Sequence, residues 1–215
     1  MGLRSHLAAG WAALRRYPGV LIGSVLTLVL AWFALEVLVV STQNLGGVIN
    51  IGLHLGYLVV ASGLELGLVS ITLDITDRRT PRYRDLFAKL RFGPHFLAAK
   101  LLYLLLLALG LISLVVPGFW LGTRYSMFPG FMAEGQHNPV DALKSSSAIV
   151  RGHTGRMFVI LLALLLLNVL GACFLGIGLL LTLPPTLVAL AGLYRQLHRD
   201  SLPSQLATQK SNSGG

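Results

Sequence analysis

Long apolar runs are the feature that most limits what this chain can fold into. The first extends from Pro18 to Val40 and contains a single ionisable residue, Glu36. About 20 consecutive apolar residues cross the ~30 Å hydrocarbon core of a membrane as a helix. The run is too long for the apolar part of a signal peptide, and no small-residue cleavage pattern follows it. It therefore predicts a retained membrane-spanning helix.

Further apolar runs predict an all-α, polytopic bundle in one integral-membrane domain over residues 1–200. The predicted spans are residues 18–40, 49–75, 95–116, 119–133, 156–176 and 179–197. Mean hydropathy is +0.74 and only 12% of residues are charged, against about a quarter in soluble domains. Residues 201–215 are rich in Ser, Gln, Asn and Gly, which predicts a disordered cytoplasmic tail.

Basic residues alternate between the links, which predicts the orientation of the six spans. They lie in the amino-terminal segment, the second and fourth links and the tail, namely Arg4, Arg15, Arg16, Arg78, Arg79, Arg82, Arg84, Lys89, Arg91, Lys144, Arg151, Arg156, Arg195, Arg199 and Lys210. The first, third and fifth links have none. The positive-inside rule then predicts that both termini lie in the cytoplasm. Residues 119–133 reach only ~22 Å, so a re-entrant half-helix remains the alternative there.

Two shorter segments predict amphipathic helices on the cytoplasmic face. Their apolar stripes are formed by Leu3, Leu7, Trp11 and Leu14 in residues 3–16, and by Tyr83, Leu86, Phe87 and Leu90 in residues 81–91. Such helices lie in the interface, with basic side chains toward anionic lipid headgroups. The net charge of +9 is thereby explained by topology, and no basic–aromatic module for nucleic acid is visible.

The predicted second span carries two pairs of small residues on one face. Gly52 and Gly56 form one pair, and Gly63 and Gly67 form the other. In lipid, such a small-xxx-small face lets a neighbouring helix approach closely. The opposite face of this span carries Asn50, His54 and Glu65.

Ionisable residues inside the spans are the candidate functional residues, because each is costly in lipid. Glu36, His54 and Arg124 lie at similar predicted depths in the outer half of the membrane, and Glu65 lies deeper. The favoured hypothesis is a structural Arg124–Glu36 ion pair. The alternatives are a solute or proton site that uses all four residues, and an Arg124 side chain that extends to the outer surface.

The other notable features lie in the region Val116–His153 and at the end of the predicted second span. Pro117 and Gly118 predict a hinge on the outer side. Asp74 and Asp77, beside two arginines, are typical of a solvated helix end more than of a metal site. No catalytic residue, metal site or cofactor is expected, and Ser145–Ser147 lack a nucleophile-elbow context.

Several motifs together resemble a known group of membrane proteins. They are "LAAGWAALRRYP" at Leu7–Pro18, "DLF" at Asp85–Phe87, "VPGFW" at Val116–Trp120, "ALKSSSAIVRGH" at Ala142–His153 and "GIGLLLTLP" at Gly176–Pro184. The chain resembles YciC-like bacterial inner-membrane proteins and the membrane domain that precedes some glycerophosphodiester phosphodiesterases. The resemblance implies a multi-span protein and supplies no catalytic residues. Because no soluble catalytic domain follows residue 200, we do not expect phosphodiesterase activity.

The sequence therefore favours a non-enzymatic integral membrane protein with a structural or accessory role in the envelope. The alternative is a small-solute or proton-coupled transporter that uses Glu36, His54, Glu65 and Arg124. A membrane enzyme that acts on lipid phosphates through Asp74 and Asp77 is a third hypothesis.

Overall fold

The computed structural model describes residues 3–42, 47–113, 115–173 and 177–212, and the regular elements in these ranges are all helical. In chain order they are α1 (Leu3–Arg16), α2 (Pro18–Ser41), α3 (Gly47–Thr76), α4 (Asp85–Ala88), a 3-10 turn (Leu90–Phe92), α5 (Gly93–Ser113), α6 (Val115–Tyr125), α7 (Phe128–Ala133), α8 (Pro139–Val150), α9 (Thr154–Cys173) and α10 (Ile177–Asn212). The predicted all-α bundle is confirmed.

Five helical segments of the described chain are long and apolar enough to cross a membrane. They are Pro18–Ser41, Gly47–Thr76, Asp85–Ile112, Thr154–Cys173 and Gly178–Ser201. Their outer surfaces carry large apolar side chains, such as Phe33 and Ile112, which are 65% and 83% exposed. A water-facing protein does not present so much apolar surface, whereas lipid solvates it without cost. The protein is a multi-pass membrane protein.

The predicted continuous span over residues 119–133 is wrong. The structure divides this stretch into α6 and α7, with a break at Ser126 and Met127. The Ser126 hydroxyl donates a hydrogen bond of 2.8 Å to the Thr123 carbonyl, and Pro129 supplies no backbone N–H for a continuing ladder. Both features end the first helix and begin a new one.

Together, α6 and α7 return along α5. A Cβ atom on Gly110 would lie 2.8 Å from the Cα of Gly118, so the two helices touch near their connection. Farther along, the rings of Phe96 and Phe128 lie 5.7 Å apart. The return is therefore a broken helical leg that packs beside α5, with Gly118 near Gly110 and Phe128 near Phe96.

The predicted hinge at Pro117 and Gly118 is also corrected. Both residues lie within α6, which begins at Val115, so the chain reverses before them. Proline is tolerated there because the first turn of a helix makes no backbone hydrogen bond through its N–H groups. The residue between α5 and α6, Leu114, lies outside the described residues.

The predicted interfacial helix over residues 81–91 is shorter and more buried than expected. Only α4 and the 3-10 turn form, and Leu86 is fully buried against α3. Tyr83 and Phe87 remain 42% and 45% exposed and stack edge to face on each other. The segment is therefore docked on the bundle through one side chain of its predicted stripe, with a second, Leu90, partly buried.

The first helix forms as predicted and packs along the part of α10 between Pro185 and Gln196. A Cβ atom on Gly10 would lie 2.3 Å from the Pro185 carbonyl oxygen, which shows how closely the two backbones approach. Leu14 is 4% exposed, whereas Trp11, on the same predicted stripe, is 43% exposed. The side chain of Leu3 lies outside the described residues.

The predicted disordered tail, residues 201–215, stays a prediction. The backbone of α10 continues as a helix through Asn212. Residues 213–215 lie outside the described part of the chain.

Candidate functional site

The four predicted intramembrane residues do not form one cluster. Glu36 is exposed on α2, and no contact between Glu36 and Arg124 occurs among the described residues. His54 is engaged within its own helix, where Nδ1 lies 2.6 Å from the Asn50 carbonyl oxygen. The expected Arg124–Glu36 pair is therefore wrong. Glu65 and Arg124 each have a different partner.

Glu65 pairs with a residue that the sequence interpretation missed. The Lys100 ammonium on α5 donates to both carboxylate oxygens of Glu65 on α3, at 2.9 and 2.7 Å. The same ammonium lies 5.6 Å from the ring centre of Trp32 on α2. One ion pair and one cation–π contact thus link three membrane-spanning helices. The available signal was a lone lysine in an apolar run, which needs an acidic partner in lipid.

Arg124 pairs with a serine and a tryptophan. Its Nε donates a 2.6 Å hydrogen bond to Ser147 Oγ on α8, and its guanidinium carbon lies 4.8 Å from the ring centre of Trp120. Stacking on tryptophan is a favourable position for a guanidinium group. The arginine therefore joins α6 to α8, away from Glu36.

The neighbouring Ser146 satisfies the backbone at the break between α6 and α7. Its hydroxyl accepts from the Met127 N–H at 3.0 Å and donates to the Arg124 carbonyl at 3.2 Å. Ser146 is fully buried. Because a break in a buried helix leaves polar groups without partners, this serine compensates for it. The serine run of α8 has a structural explanation that needs no nucleophile.

A cluster of charged side chains, which we call the arginine cluster, joins α3, α7 and α10. Its members are Asp77, Glu134, Tyr194, Arg195 and His198. Arg195 donates to Asp77 Oδ2 at 2.5 Å and also to Glu134 Oε1. Tyr194 donates to the other oxygen of Glu134, and His198 Nδ1 lies 3.8 Å from that oxygen. A single guanidinium thus binds two carboxylates from two other elements.

The arginine cluster lies beside a small cavity of about 120 Å³. Apolar side chains form most of its wall, and Thr72, Ser126 and Tyr194 supply the polar atoms. Pockets that hold a drug-sized ligand usually measure about 300–1,000 Å³. The cavity is therefore too small for such a ligand, and the cluster functions as a clamp between helices.

Asp74 and Asp77 do not converge on a shared site. Asp74 lies 3.6 Å from Arg79, which is largely exposed, and Asp77 pairs with Arg195. Each carboxylate is therefore engaged by a different arginine, and the pair resembles the predicted solvated helix end in which both charges are balanced locally.

The two glycine pairs of α3 differ in their surroundings. A Cβ atom on Gly67 would lie 2.0 Å from the Leu86 carbonyl oxygen, and one on Gly63 would lie 2.8 Å from the Leu90 Cα. Among the described residues, a Cβ atom on Gly52 or Gly56 would meet nothing within 4 Å. In the part of the chain that the structure describes, only the second pair packs against a neighbouring segment, and that segment is α4 with the 3-10 turn that follows it.

The chain matches no protein-family model, no curated protein and no solved structure at a significant level.

Proposed function

We propose that the protein is a non-enzymatic integral protein of a bacterial inner membrane, with a structural or accessory role in the envelope. Both termini are in the cytoplasm in this proposal, as the distribution of Lys and Arg predicts. The kinship with YciC-like membrane proteins, which rests on the sequence motifs, belongs to the same proposal.

The observation that carries the proposal is the Glu65–Lys100 ion pair. Both charges lie in membrane-spanning segments, and each is the other's partner at hydrogen-bond distance. An unpaired ionisable group in lipid costs about 2.5–3.5 kcal/mol, so pairing favours the assembled bundle. Because Glu65 lies on α3 and Lys100 on α5, the pair stabilises the packing of these two helices, as a structural role requires.

A transporter requires that its charged groups become available to a solute or proton. Glu65 is the expected proton carrier, but both of its carboxylate oxygens accept hydrogen bonds from the Lys100 ammonium. Arg124 is held by Ser147 and Trp120, at the contact between α6 and α8. These arrangements favour the structural role over the transporter role, which the following experiment tests directly.

The experiment exchanges the two charges of the pair. Glu65→Lys and Lys100→Glu are made singly and together, and folded protein is measured by size-exclusion chromatography after detergent extraction. A structural pair predicts that each single variant loses folded protein and that the exchanged double variant recovers it. His54→Lys is the matched control for a new positive charge on the same helix, outside the pair.

A second experiment measures proton flux, which the transporter hypothesis requires and the structural role does not. Purified wild-type protein and Glu65→Gln are reconstituted into vesicles that contain a pH-sensitive dye. We expect no difference in dye response between them and empty vesicles. Flux in the wild type that Glu65→Gln abolishes, with both proteins folded, contradicts the structural role and favours the transporter.

The orientation is tested with single cysteines in a Cys173→Ser background. Ser41→Cys marks the predicted outer link, and Lys144→Cys marks the predicted cytoplasmic helix α8. A membrane-impermeant maleimide should label the first in intact cells and the second only after the membrane is opened. The reverse result would invert the proposed orientation without affecting the ion-pair test.

A further inference from the structure

A groove opens between α1, the end of α3 and the middle of α10, and we call it the basic groove. Its polar lining consists of His6, Arg16, Tyr17, Thr76 and Arg78. Its floor is apolar and includes Ala13, Ile75 and Val188. The volume is about 290 Å³, which is close to the lower limit for a small-molecule site.

The groove carries uncompensated positive charge. Among the side chains that the structure describes, no carboxylate lies within 4.0 Å of Arg16 or Arg78. The acidic residues at this end of α3 are already engaged, because Asp74 pairs with Arg79 and Asp77 pairs with Arg195. Two guanidinium groups therefore remain for an anion from outside the chain.

The backbone fixes the position of one of these arginines. Arg78 has φ +59°, the left-handed conformation that few residues other than glycine adopt. Its N–H donates to the Ile75 carbonyl at 3.1 Å, and the next N–H, of Arg79, donates to the Asp74 carbonyl at 2.8 Å. The end of α3 is thus closed by hydrogen bonds that hold Arg78 at the rim of the groove.

A second element holds the opposite wall. His6 Nε2 lies 3.1 Å from Gln196 Oε1, which ties the start of α1 to α10. A Cβ atom on Gly192 would lie 3.2 Å from His6 Nδ1, so the absence of a side chain at Gly192 makes room for this ring. The wall formed by α1 and α10 is therefore held by a direct side-chain hydrogen bond, and the end of α3 on the other side is held by its own backbone hydrogen bonds.

We propose that the basic groove binds the phosphate group of an anionic ligand between Arg16 and Arg78. Guanidinium groups bind phosphate oxygens through two parallel hydrogen bonds, and the apolar floor suits the glycerol portion of a phospholipid. The source of the phosphate is a phospholipid headgroup or free inorganic phosphate. This inference rests on the proposed orientation only in placing the groove at the cytoplasmic leaflet.

The test measures binding to the purified full-length protein in a neutral detergent. The probes are short-chain phosphatidylglycerol, short-chain phosphatidylcholine and inorganic phosphate, each titrated by isothermal calorimetry. The groove variant is Arg16→Gln with Arg78→Gln. The matched control is Arg15→Gln with Arg82→Gln, which removes the same charge from neighbouring exposed positions that do not line the groove.

We expect saturable binding of phosphatidylglycerol that weakens at least tenfold in the groove variant and less than threefold in the control. Phosphatidylcholine should bind at least tenfold more weakly than phosphatidylglycerol to the wild type. Tighter binding of phosphatidylglycerol than of inorganic phosphate assigns the site to a lipid headgroup. Equal affinities for these two assign it to free phosphate.

A filling variant separates loss of the site from loss of the fold. Ala9→Phe keeps the charge and places a ring in the groove that Ala9 lines, so it should abolish binding while the melting temperature stays unchanged. Equal weakening in the groove variant and the control overturns the proposal, as does full binding by Ala9→Phe. Because these titrations use purified protein, their failure leaves the ion-pair and orientation experiments unaffected.

Discussion

The two halves of α3 carry the same pattern of glycines and have opposite surroundings. In the second half, Gly63 and Gly67 lie under the backbone of the α4 segment, and residues from Ala61 to Leu73 include most of the buried side chains of the helix. In the first half, a Cβ atom added to Gly52 or Gly56 would meet no described atom within 4 Å, and Val48 is 86% exposed. The spacing of the glycines does not distinguish the two pairs.

The difference teaches that a small-residue face packs only where the chain supplies a segment to cover it. The loop that follows α3 folds back and places Leu86 and Leu90 over the nearer pair. Its length, from Asp77 to Phe92, does not bring it to the farther pair. A glycine face therefore allows close approach, but it does not by itself indicate which segment of the chain packs against it.

The largest expected effect comes from closing the packed face. Gly67→Leu should cost about 3 kcal/mol or more of unfolding free energy, because its Cβ alone would overlap the Leu86 backbone, which has no room to shift. The measurement is equilibrium unfolding in mixed micelles. Gly56→Leu adds the same volume to the open half and should change stability by less than about 0.5 kcal/mol. Equal losses would remove the distinction between the halves.

The next largest effect concerns the ionisable residues of α3, which are Glu65 in the packed half and His54 in the open half. Lys100→Met leaves Glu65 without its partner and should cost about 2 kcal/mol, because the carboxylate must be protonated or left charged in lipid. His54→Met, in the open half, should cost less than about 0.5 kcal/mol, since His54 bonds only to its own helix. Thermal unfolding in detergent compares the two. A larger loss for His54→Met would contradict the comparison.

A smaller effect is expected where the covering segment meets α2. The Tyr83 and Thr27 hydroxyls lie 2.5 Å apart, so Tyr83→Phe and Thr27→Val each remove one shared hydrogen bond. A double-mutant cycle should give a coupling of about 1 kcal/mol. Additive losses would show that this bond does not help to hold the segment on the bundle.

The smallest effect has the opposite sign. Gly52→Ala with Gly56→Ala should leave stability unchanged or raise it by up to about 1 kcal/mol, because alanine favours the helix and no atom opposes its Cβ. A clear loss, especially one that depends on protein concentration, would show that a second copy covers this face in the membrane.

The sequence predicted the long helices well because hydropathy reports on each segment separately. The apolar lengths gave five of the spanning segments, and the spacing of Leu7 and Leu14 gave α1. The fourth predicted span failed for a local reason. The hydropathy of residues 119–133 does not reveal that Ser126 and Pro129 interrupt the hydrogen-bond ladder.

The polar contacts were predicted less well because they are not local. Arg124 was assigned to Glu36 from equal predicted depth, whereas its partner, Ser147, lies on α8, in the link between the fourth and fifth predicted spans. Asp77 and Arg195 are 118 positions apart, and only the packing of α3 against α10 brings them together. The Glu65–Lys100 pair was missed as well, although a lone lysine in an apolar run indicates that an acidic partner is needed in lipid.

The contact between α1 and α10 joins positions that are 190 residues apart, at His6 and Gln196. During synthesis, α1 leaves the ribosome before the segment of α10 that it packs against. The first helix therefore waits at the membrane surface, without its partner, while every spanning helix is inserted. Domains generally form in the order in which the chain emerges, and this protein instead completes its first helix with its last. Packing of α1 against α10 is therefore a late step of assembly. A truncated chain that lacks α10 leaves the apolar face of α1 around Leu14 exposed to quality-control proteases.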